Sequence, residues 1–148
     1  MSATKSGQSP SSSLSLSAAL WVGAGSALGG MSRFALDGLL IRAGVTDFPW
    51  GTLAANALGS WLIGVIVAVT LCSRRAPLPA AFHPFAVAGF CGGLTTFSAF
   101  SLQSLQLIER SPLLAVVNIA ATLLISLLAV AYGYRQGQRW GRRRARAV

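Results

Sequence analysis

The residues that could do chemistry in this chain are uncharged hydrogen-bonding side chains set inside apolar stretches. They are Asn56, Thr95, Thr96, Ser98, Ser101, Gln103, Asn118, Thr122 and Ser126. No acidic residue lies in the middle of these stretches, and no histidine, cysteine or carboxylate has metal-ligand or nucleophile–base spacing. Hydrolysis and proton-driven exchange need such groups. The sequence therefore argues against an enzyme.

Neutral amides and hydroxyls suit a small, strongly hydrated anion. They donate hydrogen bonds, and the rings of Phe97 and Phe100 add edges that carry the positive part of the aromatic quadrupole. Such a lining replaces water around the ion without a fixed charge that would trap it. Helix–helix adhesion is the alternative for Asn56 and for the stripe formed by Asn118, Thr122 and Ser126. Spacing alone does not decide between the two.

The stretch from Gly89 to Gln103 places these residues beside a glycine pair. It lies in an uncharged run from Ala76 to Ile108. Two glycines weaken a helix by about 1 kcal/mol each, and non-helical backbone is tolerated within a membrane only beside protein or a hydrophilic cavity. We therefore expect a broken helix with its interruption over Gly89–Thr96. The freed carbonyls could hold a small cation.

Composition indicates an integral membrane protein. The 148 residues have a mean hydropathy of +0.62 and are only 10% charged, whereas soluble domains carry about a quarter charged residues. We predict an all-α fold with four transmembrane helices, the third broken at mid-membrane. The expected spans are Leu16–Leu40, Gly51–Cys72, a third from near Ala80 that resumes as Phe97–Ile108, and Leu113–Tyr134. The predicted regions are a disordered Ser-rich tail at 1–15, a channel domain at 16–134 and a basic tail at 135–148.

The net charge of +9 is unevenly distributed along the chain. Six of the twelve basic residues fall within the last fourteen positions, directly after an apolar span. Such a tail is expected to lie on anionic lipid headgroups rather than on nucleic acid. Four crossings place nine basic residues on the side of the termini and three on the other. The positive-inside rule then predicts a cell-membrane protein with both termini cytoplasmic.

Arg33 and Asp37 lie four residues apart near the end of the first span. One interpretation is an ion pair on the helix surface. The other is that Arg33 faces a vestibule and concentrates anions there. The spacing is compatible with both.

Three motifs resemble the small fluoride channels called Fluc or CrcB. They are GGMSRF at 29–34, GTLAANALGS at 51–60 and GFCGGLTTFSAFS at 89–101. Together they extend over essentially the whole membrane region in the order of the family, and the third is highly specific. The resemblance implies an antiparallel dimer of four-helix subunits that conducts fluoride passively and protects the cell from its accumulation.

The resemblance also implies roles for individual residues. A fluoride pathway would be lined by Asn56, Phe97, Phe100, Ser101, Asn118, Thr122 and Ser126. Arg33 would face the vestibule, and the backbone carbonyls of Gly92 and Thr95 would hold a structural sodium ion shared by both subunits. The fourth-helix position that the family often fills with Tyr or Asn is Asn118 here.

The charge asymmetry departs from the family pattern. Single-gene members insert in both orientations and show little bias, whereas this chain has nine basic residues against three. The hypothesis is that it inserts in one orientation and pairs with an oppositely oriented paralogue; the alternative is a dimer with itself.

Two other functions fit a small four-helix protein. A multidrug exporter would require a membrane-embedded carboxylate, but Asp37 and Glu109 lie near helix ends. In a noncatalytic assembly factor the polar stripes would be adhesive only. Fluoride efflux without a proton requirement separates a channel from both.

Overall fold

The computed structural model describes residues 16–72, 79 and 81–146. The predicted tail at 1–15 and the basic loop with Arg74 and Arg75 lie outside these residues. Within them the chain is helical and contains no strand. The helices are α1, Leu16–Arg42; α2, Trp50–Cys72; α3a, Pro84–Cys91 with a last turn at Gly92–Leu94; α3b, Phe97–Arg110; and α4, Pro112–Arg146. The all-α prediction is confirmed, and this order is consistent with four crossings.

Three segments of the described chain are long and apolar enough to cross a membrane. They are Trp50–Cys72, Pro84–Arg110 and Pro112–Arg143. With 27 residues, α1 is long enough, but its glycines and serines, together with Arg33 and Asp37, lower its hydropathy. The chain is thus a multi-pass helical membrane protein whose first helix is the least apolar of the set.

Helices α1 and α3a pack through glycines on both sides. A Cβ added to Gly25 would lie 2.7 Å from the amide nitrogen of Phe90 and 2.9 Å from the Cα of Gly89. One added to Gly93 would lie 2.9 Å from the Cα of Ser26. Real Cβ atoms do not approach so closely, so the two backbones meet only because these side chains are absent. Small residues allow such close approach between membrane helices.

This packing corrects the predicted interruption at Gly89–Thr96. The backbone stays helical through Leu94, first with the wide turns of a π-helix over Pro84–Cys91 and then as an α-turn. Only Thr95 and Thr96 are extended, with ψ angles of 152° and 124°. The helical cost of the glycines is offset by close packing against α1, so the glycines form part of a helix interface.

Helices α2 and α4 form a second interface built on glycines, and they run in the same direction. Gly64 of α2 contacts the Val130 carbonyl and lies against the Tyr134 amide, while Gly137 lies against Val65 and Ala68. Farther along, the indole Nε1 of Trp61 donates to Oε1 of Gln136 at 3.1 Å.

The interface between α2 and α4 also explains why the fourth helix extends beyond its predicted span. The predicted fourth span is Leu113–Tyr134, whereas the helix itself begins at Pro112 and continues to Arg146. The reason is tertiary, since Gly141 still packs against Cys72 at the end of α2. Most of the region predicted as a basic tail is therefore helical.

The loop between α1 and α2 closes one end of the molecule. Gly44, at a φ of 77°, ends α1 with a Schellman motif, in which Val45 N–H donates to Leu40 and Gly44 N–H donates to Ile41. A hollow of about 350 Å³ beside this loop is lined by Asp37, Asp47 and Arg110, among others. All three acidic residues of the chain belong to this end, opposite the arginines of α4.

Candidate functional site

The extended residues Thr95 and Thr96 are held by the side chain of Asn56 on α2. The backbone N–H of Thr96 donates to Asn56 Oδ1 at 2.8 Å, and Asn56 Nδ2 donates to the Thr96 carbonyl at 3.2 Å. One carboxamide thus supplies both partners that a neighbouring strand would offer. Backbone that leaves a helix in lipid must find such partners. This is the local reason that two extended residues are stable here.

Thr96 also begins α3b. Its Oγ1 accepts a hydrogen bond from the Ala99 N–H at 3.2 Å, which is the N-cap arrangement. On the other side of the interruption, the N–H and Oγ1 of Thr95 both donate to the Cys91 carbonyl, at 3.0 and 2.9 Å. The two threonines therefore end one helix and start the next.

The interruption leaves backbone carbonyls without partners. In a continuous helix the Gly92 carbonyl would accept from the Thr96 N–H, which here bonds to Asn56 instead. Within the described part of the chain, no hydrogen bond reaches the carbonyl oxygen of Gly92 or of Thr95. Carbonyl oxygens of this kind are suitable ligands for a small cation.

A cavity of about 440 Å³ lies beside the interruption, between α2, α3b and α4. It brings together five of the residues predicted to line a pathway: Asn56, Phe97, Phe100, Thr122 and Ser126. Thr95 and Thr96 also line it, with Ser60, Ile63 and Leu123 among the others. Hydroxyls, one carboxamide and two rings thus share a wall that contains no charged side chain.

The hydroxyl of Thr122 is a buried polar group of this wall that needs a hydrogen-bond partner. The residue is only 6% exposed, and its Oγ1 has no hydrogen-bond partner among the described residues. Buried polar groups are nearly always bonded, so an unbonded one needs an explanation. Because Thr122 also lines the cavity, its hydroxyl is a candidate hydrogen-bond donor to a solute bound there.

The two phenylalanines differ sharply in exposure. Phe100 is 9% exposed, whereas Phe97, one helical turn away, is 79% exposed. Their ring centroids are 5.7 Å apart, with the planes tilted by 48°. The cavity therefore extends from a buried ring to a ring that stands on the surface of a single chain.

Three predicted residues lie apart from the cavity. Ser101 is exposed on α3b. Asn118 is 1% exposed, and its Nδ2 donates to Ser104 Oγ at 2.9 Å. Arg33 is half-buried; its Nε is buried without a partner, and no salt bridge joins it to Asp37. The carboxylate of Asp37 instead contacts Gly51 at the start of α2.

Ser104 is a buried residue that sequence reasoning did not single out. Its hydroxyl donates to the Phe100 carbonyl at 2.7 Å and accepts from Asn118. This relay connects α4 to the helix that carries both phenylalanines. The available signal was a serine at i+4 from Phe100, a residue predicted to line the pathway.

Comparison with known proteins of similar sequence identifies the family of this chain. The family described as CrcB-like protein, Camphor Resistance (CrcB), matches residues 20–134. The fluoride-specific ion channel FluC of Methylobacterium radiotolerans is 37% identical over 128 residues, which cover 86% of this chain and 89% of that protein. The FluC proteins of Methylocella silvestris and Agrobacterium fabrum are each 41% identical, over 78% and 79% of this chain and 88% and 93% of their own lengths. With the match extending from α1 into α4, the chain belongs to the CrcB family of membrane proteins, whose relatives here bear the name of ion channels and not of enzymes.

Proposed function

We propose that this protein is a fluoride-selective channel that lets fluoride leave the cell passively and so limits its toxicity. The observation that carries the proposal is the uncharged cavity beside the Thr95–Thr96 interruption, which is lined by Phe97, by Phe100 and by Thr122, whose hydroxyl has no partner among the described residues. The names of the relatives supply the identity of the ion.

The cavity residues would act by replacing water around the ion. The Thr122 hydroxyl has a free proton to donate, and the half-buried Ser126 lies one turn along the same face of α4. Asn56 has one amide hydrogen left after its bond to Thr96. Ring edges of Phe97 and Phe100 complete the shell. Since no full positive charge lines the cavity, the ion is bound weakly enough to leave.

A structural sodium ion fits the carbonyls at the interruption. Gly92 and Thr95 would hold it through their backbone oxygens, which accept no hydrogen bond from the described residues. A cation there would offset the repulsion among these dipoles and favour anions nearby. Oxygen ligands without a carboxylate suit a singly charged ion.

The exposed ring of Phe97 supports an antiparallel dimer. A pathway residue that is 79% exposed would face lipid unless a second subunit covered it, and the hydrogen-bonding groups of a cavity open to lipid would lack partners. The second subunit would be another copy or an oppositely oriented paralogue. The arginines of α4 and the acids at the other end favour one orientation, with both termini in the cytoplasm and the basic end on anionic lipid.

Fluoride efflux from liposomes tests the proposal. The purified protein is reconstituted alone, and release of trapped fluoride and of trapped chloride is followed with ion-selective electrodes. Rapid fluoride release, little chloride release and no dependence on a proton gradient are expected. A preparation that assembles but releases no fluoride contradicts a channel made of this chain alone. Adding the paralogue then tests the heterodimer.

A pair of variants tests the cavity itself. Phe97→Ile removes the ring edge and is expected to reduce fluoride flux at least tenfold while the dimer still forms. Phe34→Ile is the matched control, because Phe34 is 81% exposed, nearly as much as Phe97, but does not line the cavity. Equal flux in both variants would remove Phe97 from the pathway.

A further inference from the structure

We infer that the side chain of Asn56 is a positioning residue for the cation, because it keeps the Gly92 carbonyl free to bind it. The inference rests on the sodium site of the proposed function and assigns Asn56 a second role besides lining the cavity. That role is exerted through the backbone of Thr96, to which the carboxamide is bonded on both sides.

Two acceptors, the Gly92 carbonyl and Asn56 Oδ1, are available to the N–H group of Thr96. The Thr96 N–H is four residues after Gly92, which is the spacing of a helical hydrogen bond. Without another acceptor, this N–H would close onto the Gly92 carbonyl and continue the helix by one residue. Instead, the Thr96 N–H donates its hydrogen bond to Asn56 Oδ1, at 2.8 Å.

The carbonyl of Cys91, one residue earlier in the chain, is fully hydrogen-bonded. The Cys91 carbonyl accepts two hydrogen bonds from Thr95, at 3.0 and 2.9 Å, one from the backbone and one from the hydroxyl. It is thus fully occupied, whereas the next carbonyl along the chain has no partner. The difference between Cys91 and Gly92 follows from the acceptor on α2.

The second bond of the carboxamide orients the rest of the interruption. Asn56 Nδ2 donates to the Thr96 carbonyl at 3.2 Å, which holds this peptide group against α2. The first bond, from the Thr96 N–H to Oδ1, belongs to the peptide group between Thr95 and Thr96. Because the N–H and C=O of a trans peptide point in opposite directions, this bond directs the Thr95 oxygen away from Asn56. Both proposed cation ligands consequently depend on one side chain.

Substitution separates this role from that of lining the cavity. Asn56→Leu keeps the branched shape of the side chain but removes the acceptor, so a cation would have to displace the Thr96 N–H from the Gly92 carbonyl. Breaking such a buried bond corresponds to a loss of about tenfold in affinity. Asn56→Asp retains an oxygen acceptor for the Thr96 N–H and is expected to retain cation binding, although fluoride flux falls in both variants.

The experiment measures the sodium dependence of thermal stability in detergent, with N-methylglucamine replacing sodium at constant ionic strength. Wild type is expected to gain stability with sodium. The sodium concentration at half-effect should rise about tenfold or more in Asn56→Leu and should not rise in Asn56→Asp. Thr122→Val is the control: Thr122 lines the same cavity, but its hydroxyl makes no hydrogen bond to the interruption, so flux should fall while the sodium dependence stays that of wild type.

The possible failures are distinguishable. An unchanged sodium midpoint in Asn56→Leu, or a raised one in Asn56→Asp, overturns the inference; the second variant alone decides if the first does not assemble. A wild type that conducts fluoride but gains no stability from sodium overturns the sodium site and this inference together, while leaving the channel intact. A wild type that responds to sodium but does not conduct refutes a channel made of this chain alone and leaves this inference standing.

Discussion

Replacing Thr122 with valine should make this protein more stable and, at the same time, a poorer channel. Thr122 is 6% exposed, and its hydroxyl has no partner among the described residues. Valine has nearly the same shape, so the packing around the cavity should be preserved. An unsatisfied buried hydroxyl costs about 1–3 kcal/mol, and hydrogen-bonding effects inside membrane proteins are about 0.6–2 kcal/mol. We therefore expect the variant to gain about 1 kcal/mol in unfolding free energy.

The expected loss of function is larger than the gain in stability. A hydrogen bond to a charged partner contributes about 1.5–3 kcal/mol, so removing one donor from a fluoride ion should lower flux by about 10- to 100-fold. Unfolding is measured in detergent at a fixed protein concentration, and flux is measured by fluoride release from liposomes. Both measurements use the same preparation.

Thr70→Val is the matched control for this prediction. The hydroxyl of Thr70 is fully used: it donates to the Ile66 carbonyl at 2.8 Å and lies 2.9 Å from Nε2 of His83. Its loss should lower stability and leave flux unchanged. If Thr122→Val were instead destabilising with normal flux, its hydroxyl would be an adhesive contact between helices, and the assignment of the cavity as a pathway would be refuted.

Three further changes probe the scaffold around the site. Ser104→Ala removes the acceptor of the Asn118 amide and should lower unfolding free energy by about 1–2 kcal/mol; unchanged stability in detergent would show that this relay is dispensable. Gly29→Ala forces a Cβ within 2.7 Å of a backbone nitrogen of α3a and should destabilise the protein by about 1–3 kcal/mol. Gly23 faces open space, so Gly23→Ala is the control and should not lower the thermal midpoint in this way. Trp61→Phe deletes the α2–α4 indole hydrogen bond, worth about 0.5–1.5 kcal/mol, and should speed trypsin cleavage of the end of α4; cleavage at the wild-type rate would contradict that contribution.

Sequence reasoning located the helices well because apolar length and turn residues are local signals. The start of α2, expected at Gly51, is Trp50, and its end at Cys72 agrees with the structure. The extent of the interruption was predicted less well. Glycine propensity suggested eight non-helical residues, while the structure has two, because contact with α1 is a tertiary effect that propensity does not contain.

The candidate site was predicted in part for a similar reason. Hydroxyls and amides inside apolar runs were recognised, and five of them or their aromatic neighbours share the cavity. Which of these groups would already be bonded was not predictable, because a stripe such as Asn118, Thr122 and Ser126 looks uniform in sequence. In three dimensions Asn118 is bonded to Ser104 and Thr122 to nothing among the described residues. Only the facing helix distinguishes them.

The packing of α1 against α3a through glycines has a consequence for biosynthesis. Helix α1 is the least apolar of the described helices that cross the membrane and carries Arg33 and Asp37, and it meets α3a only after some sixty more residues have been made. During that interval α1 has less affinity for the bilayer than the more apolar helices that follow. In a chain truncated after α2, the first helix should therefore be held in the membrane less firmly than in the full chain.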